Sequence, residues 1–83
     1  LFAGRRRRIE SVQVDPAGRV WVSFTEGGLQ VRSDGGWRTV GEESGLPSLV
    51  VLSTQTDPAG HLWLGTDRGL VRIARESLEA WLA

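Results

Sequence analysis

Asp15 and Asp57 are the carboxylates of this chain with the clearest repeated setting. Each opens the same phrase, Asp15-Pro16-Ala17-Gly18-Arg19-Val20-Trp21-Val22 and Asp57-Pro58-Ala59-Gly60-His61-Leu62-Trp63-Leu64. Two such carboxylates could serve acid–base chemistry or hold calcium. Their identical place at the head of a turn favours another use, in which aspartate accepts hydrogen bonds from the turn's own backbone. A hard cation also wants more oxygen ligands than one carboxylate per turn supplies. Trp21 and Trp63 could offer indole faces to a sugar or base. They recur in register between apolar neighbours, however, and so read as space-filling residues. Trp37 and Trp81 are read the same way. His61, the one histidine, stands where the first phrase has Arg19. A catalytic imidazole needs a nucleophile and an orienting partner, and neither is evident beside it. Catalytic, cofactor and metal sites are therefore not expected.

The run Arg5-Arg6-Arg7-Arg8 could meet phosphate or an acidic membrane surface. No aromatic residue interleaves it, and ten basic residues across the chain are balanced by ten acidic ones. A solvated connector is the simpler reading, and nucleic acid is not an expected partner. Glu42-Glu43 could pair with such a connector, an exposed interaction worth about 0–1 kcal/mol. No apolar run approaches the roughly 18 residues of a membrane span, and no signal-peptide pattern is present, so direct membrane contact from this segment is not expected. Ligand-binding residues cannot be named.

The positioning elements follow from the repeat. The two phrases lie at an offset of 42 residues, while Gly28-Leu29 and Gly69-Leu70 lie at 41. The first copy thus carries one extra residue, placed by this alignment in Phe24–Gly27 as a bulge or longer turn. Asp-Pro-Ala-Gly suits a type I turn. Strands are expected at 9–14 and 50–56 entering the turns, and at 20–24 and 62–66 leaving them. Val-Trp-Val and Leu-Trp-Leu are apolar at consecutive positions, which fits strands covered on both faces. Third strands follow at 29–32 and 70–73. In the first copy Ser33-Asp34-Gly35-Gly36 turns the chain into an outer strand at 37–40. Ser77 is placed to cap a short C-terminal helix with Leu78, Trp81 and Leu82 on one face.

A repeat of about 40–45 residues built from such strands is a four-stranded blade of a β-propeller. The expected fold is all-β: two four-stranded-type antiparallel blades of a partial propeller, with a possible short C-terminal helix. The division is repeat 1 at about 9–40, crossover 41–48, repeat 2 at about 49–75 and connector 76–83, all within one domain fragment. The absence of an initiator methionine and the Leu1-Phe2 opening read as a piece of something longer.

Trp63-Leu64-Gly65-Thr66-Asp67-Arg68-Gly69-Leu70 and Gly45-Leu46-Pro47-Ser48 resemble the two-component regulator propeller repeat. The positions carrying the repeat are Asp15, Pro16, Gly18, Trp21, Gly28 and Leu29, with Asp57, Pro58, Gly60, Trp63, Gly65, Thr66, Gly69 and Leu70. The first copy departs where Ser23-Phe24-Thr25 replaces the Gly-Thr step. The resemblance implies a non-enzymatic, ligand-sensing propeller of a bacterial signalling protein, attached to a histidine kinase or other output module and lying in the periplasm. It transfers no ligand contact, because these lie on variable loops. The alternatives are a propeller enzyme resembling the streptogramin lyases and a plain interaction scaffold like WD-repeat proteins.

Closed propellers use roughly four to eight blades, so partners are expected to be further blades in cis or copies of this chain. Val20, Val22, Leu62 and Leu64 should face neighbouring blades. No cap sequence is evident at either end, which leads to the expectation of either a ring of copies or a weakly folded, aggregating chain.

Overall fold

The computed structural model of the chain describes residues 8–40 and 50–82. Arg5–Arg7, the crossover with Glu42-Glu43, and Gly45-Leu46-Pro47-Ser48 lie outside the described residues. Among the described residues seven strands precede one helix: β1 Ile9–Val14, β2 Val20–Phe24, β3 Leu29–Ser33, β4 Gly36–Val40, β5 Val51–Thr56, β6 Leu62–Thr66, β7 Gly69–Ile73 and α1 Arg75–Leu82. They form a four-stranded sheet ordered β1-β2-β3-β4 and a three-stranded sheet ordered β5-β6-β7. Every pairing is antiparallel.

The two sheets share their registers. Gln13 pairs with Trp21 as Gln55 pairs with Trp63, and a register shift near the start of β1 recurs in β5. The extra residue of the first copy falls where the alignment puts it. Phe24 N–H donates to the Gly28 carbonyl at 3.1 Å across a longer turn, whereas Thr66 pairs directly with Gly69. Gly27 and Gly28 both take positive φ, at 116° and 110°, which lets the longer turn close.

Strand alternation sorts each sheet into two faces. On the first sheet Trp21, Leu29, Val31 and Val40 share a face, because Trp21 pairs with Val31 and Leu29 with Val40. On the second sheet Leu62 and Leu64 share a face with Val71 and Ile73. These two faces meet. Their residues form one core cluster with Val51 and Leu78, against which Val71, Ile73, Trp81 and Leu82 pack. Leu62 and Leu64 thus reach 0% exposure inside the chain itself. The inner strands are also bonded across the sheets, where Thr56 N–H donates to Gln13 Oε1.

Two expectations need correction. β2 is covered on both faces from Trp21 onward, but β6 is covered fully only on its Leu62–Leu64 face. Trp21 is 1% exposed, while Trp63 remains half-buried, because the second sheet covers Trp21 and no described element covers Trp63 equally. The helix begins at Arg75, so Ser77 lies within it and does not cap it. Among the described residues α1 follows β7 where the first copy has its fourth strand, and it places Leu78 in the core between the sheets.

Candidate functional site

The repeated turns are built alike. Gly18 N–H donates to the Asp15 carbonyl at 2.9 Å, and Asp15 N–H donates to the Arg19 carbonyl at 2.9 Å. The second copy repeats both bonds, Gly60 to Asp57 at 2.9 Å and Asp57 to His61 at 3.0 Å. Gly18 and Gly60 sit at φ 84° and 89°, conformations that side-chain-bearing residues rarely adopt. A Cβ on Gly60 would also stand 2.8 Å from Arg75 Cδ. Gly18→Val and Gly60→Val should therefore each cost about 1–3 kcal/mol, with Gly60→Val the costlier because the Arg75 side chain must also move. Urea midpoints read the difference directly. Unchanged midpoints in both variants would contradict the turn geometry.

Each aspartate is saturated by its own turn and strand. Asp15 Oδ1 accepts from Ala17 N–H at 3.0 Å and Arg19 N–H at 2.9 Å. Its Oδ2 accepts from Arg19 Nε at 2.7 Å and Trp21 Nε1 at 3.0 Å. Asp57 Oδ1 accepts from Ala59 and His61 N–H at 3.0 Å each, and Oδ2 from Trp63 Nε1 at 2.8 Å. Turn, strand and indole are thus locked by a single carboxylate in each copy.

The electrostatics agree. Burial pushes the Asp15 carboxyl up, but the Trp21 and Arg19 bonds outweigh it and hold the group below its ordinary value. The Trp63 indole is the main cause that lowers Asp57, with burial opposing it. Arg19 is held above the ordinary arginine range: burial works against its charge, and the bonds to Asp15 and Glu79 outweigh that. Carboxylates committed in this way are charged acceptors, not proton shuttles.

The residue after each turn glycine reaches beyond its own turn. Arg19 Nη1 reaches Glu79 Oε1 of α1 at 2.8 Å, and His61 Nδ1 accepts from Arg75 N–H at 2.9 Å. Both copies use this position to tether the helix, one by an ion pair and one through an imidazole acceptor. Arg38 adds a third tie, donating to the Trp81 carbonyl at 2.6 Å with its guanidinium 5.6 Å from the indole centroid.

The remaining repeat positions are structural too. Thr66 Oγ1 donates to the Gly69 carbonyl at 2.8 Å and accepts from Arg68 N–H at 3.1 Å, closing the β6–β7 turn. A Cβ on Gly65 would lie 2.7 Å from Ser53 Oγ. The first copy meets the same crowding differently, with Ser11 and Ser23 hydroxyls bonded at 2.6 Å. Leu29 is fully buried, while its counterpart Leu70 is 70% exposed. Pro16 and Pro58 hold the second turn positions and are exposed.

An open cleft of about 610 Å³ runs past the first turn, lined among others by Arg19, Arg32, Ser33, Asp34 and Glu79. Its charges are of both signs, and Arg19 and Glu79 are already paired. Among the described residues no group of three or more histidine, aspartate or glutamate side chains is placed to hold a metal ion. Among the described residues no helix is long and apolar enough to cross a membrane.

Residues 45–68 match the family model described as two component regulator propeller. The described part of the match covers β5, the Asp57 turn and β6, and so contains Asp57, Trp63, Gly65 and Thr66. Neither the curated proteins nor the solved structures give a match. The match at residues 45–68 and the two antiparallel sheets of four and three strands fit blades of a partial β-propeller.

Proposed function

We propose that this chain is a non-enzymatic segment of a ligand-sensing propeller in a bacterial two-component signalling protein, working on the outer side of the inner membrane. The observation that carries the reading is the full commitment of Asp15 and Asp57 to their own turns and indoles. The repeated polar residues build a rigid frame, and recognition is left to the loops between strands. A frame of this kind transmits ligand binding by holding loops from successive blades at fixed separations, so that a ligand bridging them biases the whole ring. Binding energy is then not consumed in ordering the site.

The reading has two tests. The chain should show no hydrolase or lyase turnover, and a steady turnover lost in His61→Ala would overturn the non-enzymatic assignment. In the full reading frame, deletion of residues 9–75 should abolish the inducible response of the attached output module. Wild-type induction in that deletion would remove the sensing role.

A further inference from the structure

The seam where the two sheets meet is not apolar throughout. Leu62 and Leu64 of β6 cluster there with Trp21, Leu29 and Val31, but β1 and β5 bring polar side chains to the same faces. Residues directly opposite in a strand pair share a face. Thr54 pairs with Leu64 and Thr56 with Leu62, so both threonines stand on the core face of the second sheet. Gln13 pairs with Trp21 and stands on the core face of the first. Its amide crosses the gap, where Gln13 Oε1 accepts from Thr56 N–H.

Several polar groups of this strip are satisfied within the protein. The Ser11 and Ser23 hydroxyls bond each other at 2.6 Å, and Thr66 Oγ1 donates to the Gly69 carbonyl. Three atoms are not. Gln13 Nε2, Thr54 Oγ1 and Thr56 Oγ1 are buried without a hydrogen-bond partner among the described residues. The Gln13–Thr56 bond holds β1 against β5, and Thr54 is the next residue along the same face of β5, so the three border one gap. Each buried polar group left unpaired carries a desolvation penalty, and native proteins rarely gather three.

The donor set defines what fits. Gln13 Nε2 offers N–H hydrogens and no lone pair, while each hydroxyl can both give and accept. A metal cation would meet the amide hydrogens instead of a lone pair. An anion would find donors, but the cleft of about 290 Å³ bordering Thr56 carries Glu79 as well as Arg19 and Arg75, and Arg19 is already paired with Glu79. Water accepts the amide hydrogen and can bond both hydroxyls in either sense, within the two to four bonds usual for a buried water. The same cleft brings solvent to the edge of the seam.

We propose that one ordered water molecule is a built part of the joint between the sheets, held by Gln13 Nε2, Thr54 Oγ1 and Thr56 Oγ1. The seam is dry where β2, β3 and β6 meet and hydrated where β1 and β5 meet. Gln13 is the positioning residue, since its Oε1 fixes β5 and its Nε2 fixes the water. This rests on the seam within the chain and not on the sensing role, so the two can fail separately.

Valine substitutions test it, because an orphaned hydroxyl and a hydrated one respond with opposite sign. Replacing an unpartnered buried hydroxyl by a methyl group removes a penalty and raises the urea midpoint, whereas replacing one that holds a water breaks a bond and lowers it. Thr54→Val and Thr56→Val should each lower the folding equilibrium constant roughly three- to tenfold. The double variant should lose less than the product of the two, because both hydroxyls serve one water. Either single variant as stable as the wild type, or more so, would overturn the proposal, and so would a double variant that loses the full product. A second readout needs no substitution. Nuclear Overhauser spectra of the wild type should show a cross-peak between a long-lived water and the Gln13 side-chain amide, and an assigned amide without one would also sink the proposal. A wild-type midpoint that shifts between sodium fluoride and sodium bromide, and stops shifting in Thr54→Val, would assign the site to an anion instead.

Discussion

Trp21→Ala is expected to leave the chain largely unfolded at room temperature. Truncating a buried aromatic residue costs about 3–5 kcal/mol, and a chain of this size has about 4–12 kcal/mol in all. Trp21 is among the largest fully buried side chains and joins both sheets to Leu78 of α1. Its loss empties the seam and also removes the indole N–H that Asp15 Oδ2 accepts. Trp63→Ala makes the same chemical change in the same local motif, yet it should cost clearly less because Trp63 is only half-buried. The pair separates motif from environment, since the hydrogen bond to aspartate is present in both copies. Urea denaturation of the two variants gives the comparison, and equal losses would contradict the asymmetry of the sheets.

Asp15→Ala is the second large loss, at about 3–5 kcal/mol, the range for breaking a buried charged pair by removing one partner. Four donors converge on this carboxylate, and alanine leaves the Trp21 indole and two backbone N–H groups without it. Asparagine is no remedy, because an amide nitrogen at Oδ2 would face two other donors, Arg19 Nε and Trp21 Nε1. The pH dependence follows from the lowered value of Asp15. Above the ordinary carboxylate value, which the unfolded chain retains, both states are ionised and the contribution to stability is complete. As pH falls the unfolded state takes up its proton first, and the contribution is lost as pH drops through the lower folded-state value. Wild-type midpoints should therefore decline as pH falls below the ordinary carboxylate range, with Asp57 acting in the same direction. In Asp15→Asn the decline should be shallower. An equal slope in that variant would show that Asp15 does not drive it.

Much of this was legible along the chain because turns and strands are local. Asp-Pro-Ala-Gly fixed both turns, and Val20–Phe24 and Leu62–Thr66 have the bounds their apolar runs suggest. The longer turn of the first copy followed from counting residues. What local pattern could not show is inequality between equal motifs. Trp21 and Trp63 differ only in what lies over them, and Leu29 and Leu70 differ in the same way. The helix start was misread because Ser77 looks like a cap, whereas Arg75 N–H is met by His61, a residue 14 positions back. The Arg19–Glu79 tie spans 60 positions, beyond any sequence pattern. One signal was available: the residue after each turn glycine breaks the repeat, arginine in one copy and histidine in the other.

The tethering of α1 sets the order in which the molecule can be made. The first sheet leaves the ribosome before Val51, Leu62, Leu64 and Leu78, the later residues that cluster with its Trp21, Leu29 and Val31. Leu78, which closes the seam, and Glu79, which holds Arg19, are synthesised after both sheets. Nascent chains therefore pass through an interval with the tryptophan face open to any passing apolar surface. Val40, on the outer strand, waits for the same cover. Removal of α1 alone would leave the strands able to pair and prolong that vulnerable interval indefinitely, so a short helix after the second sheet guards the face of the first.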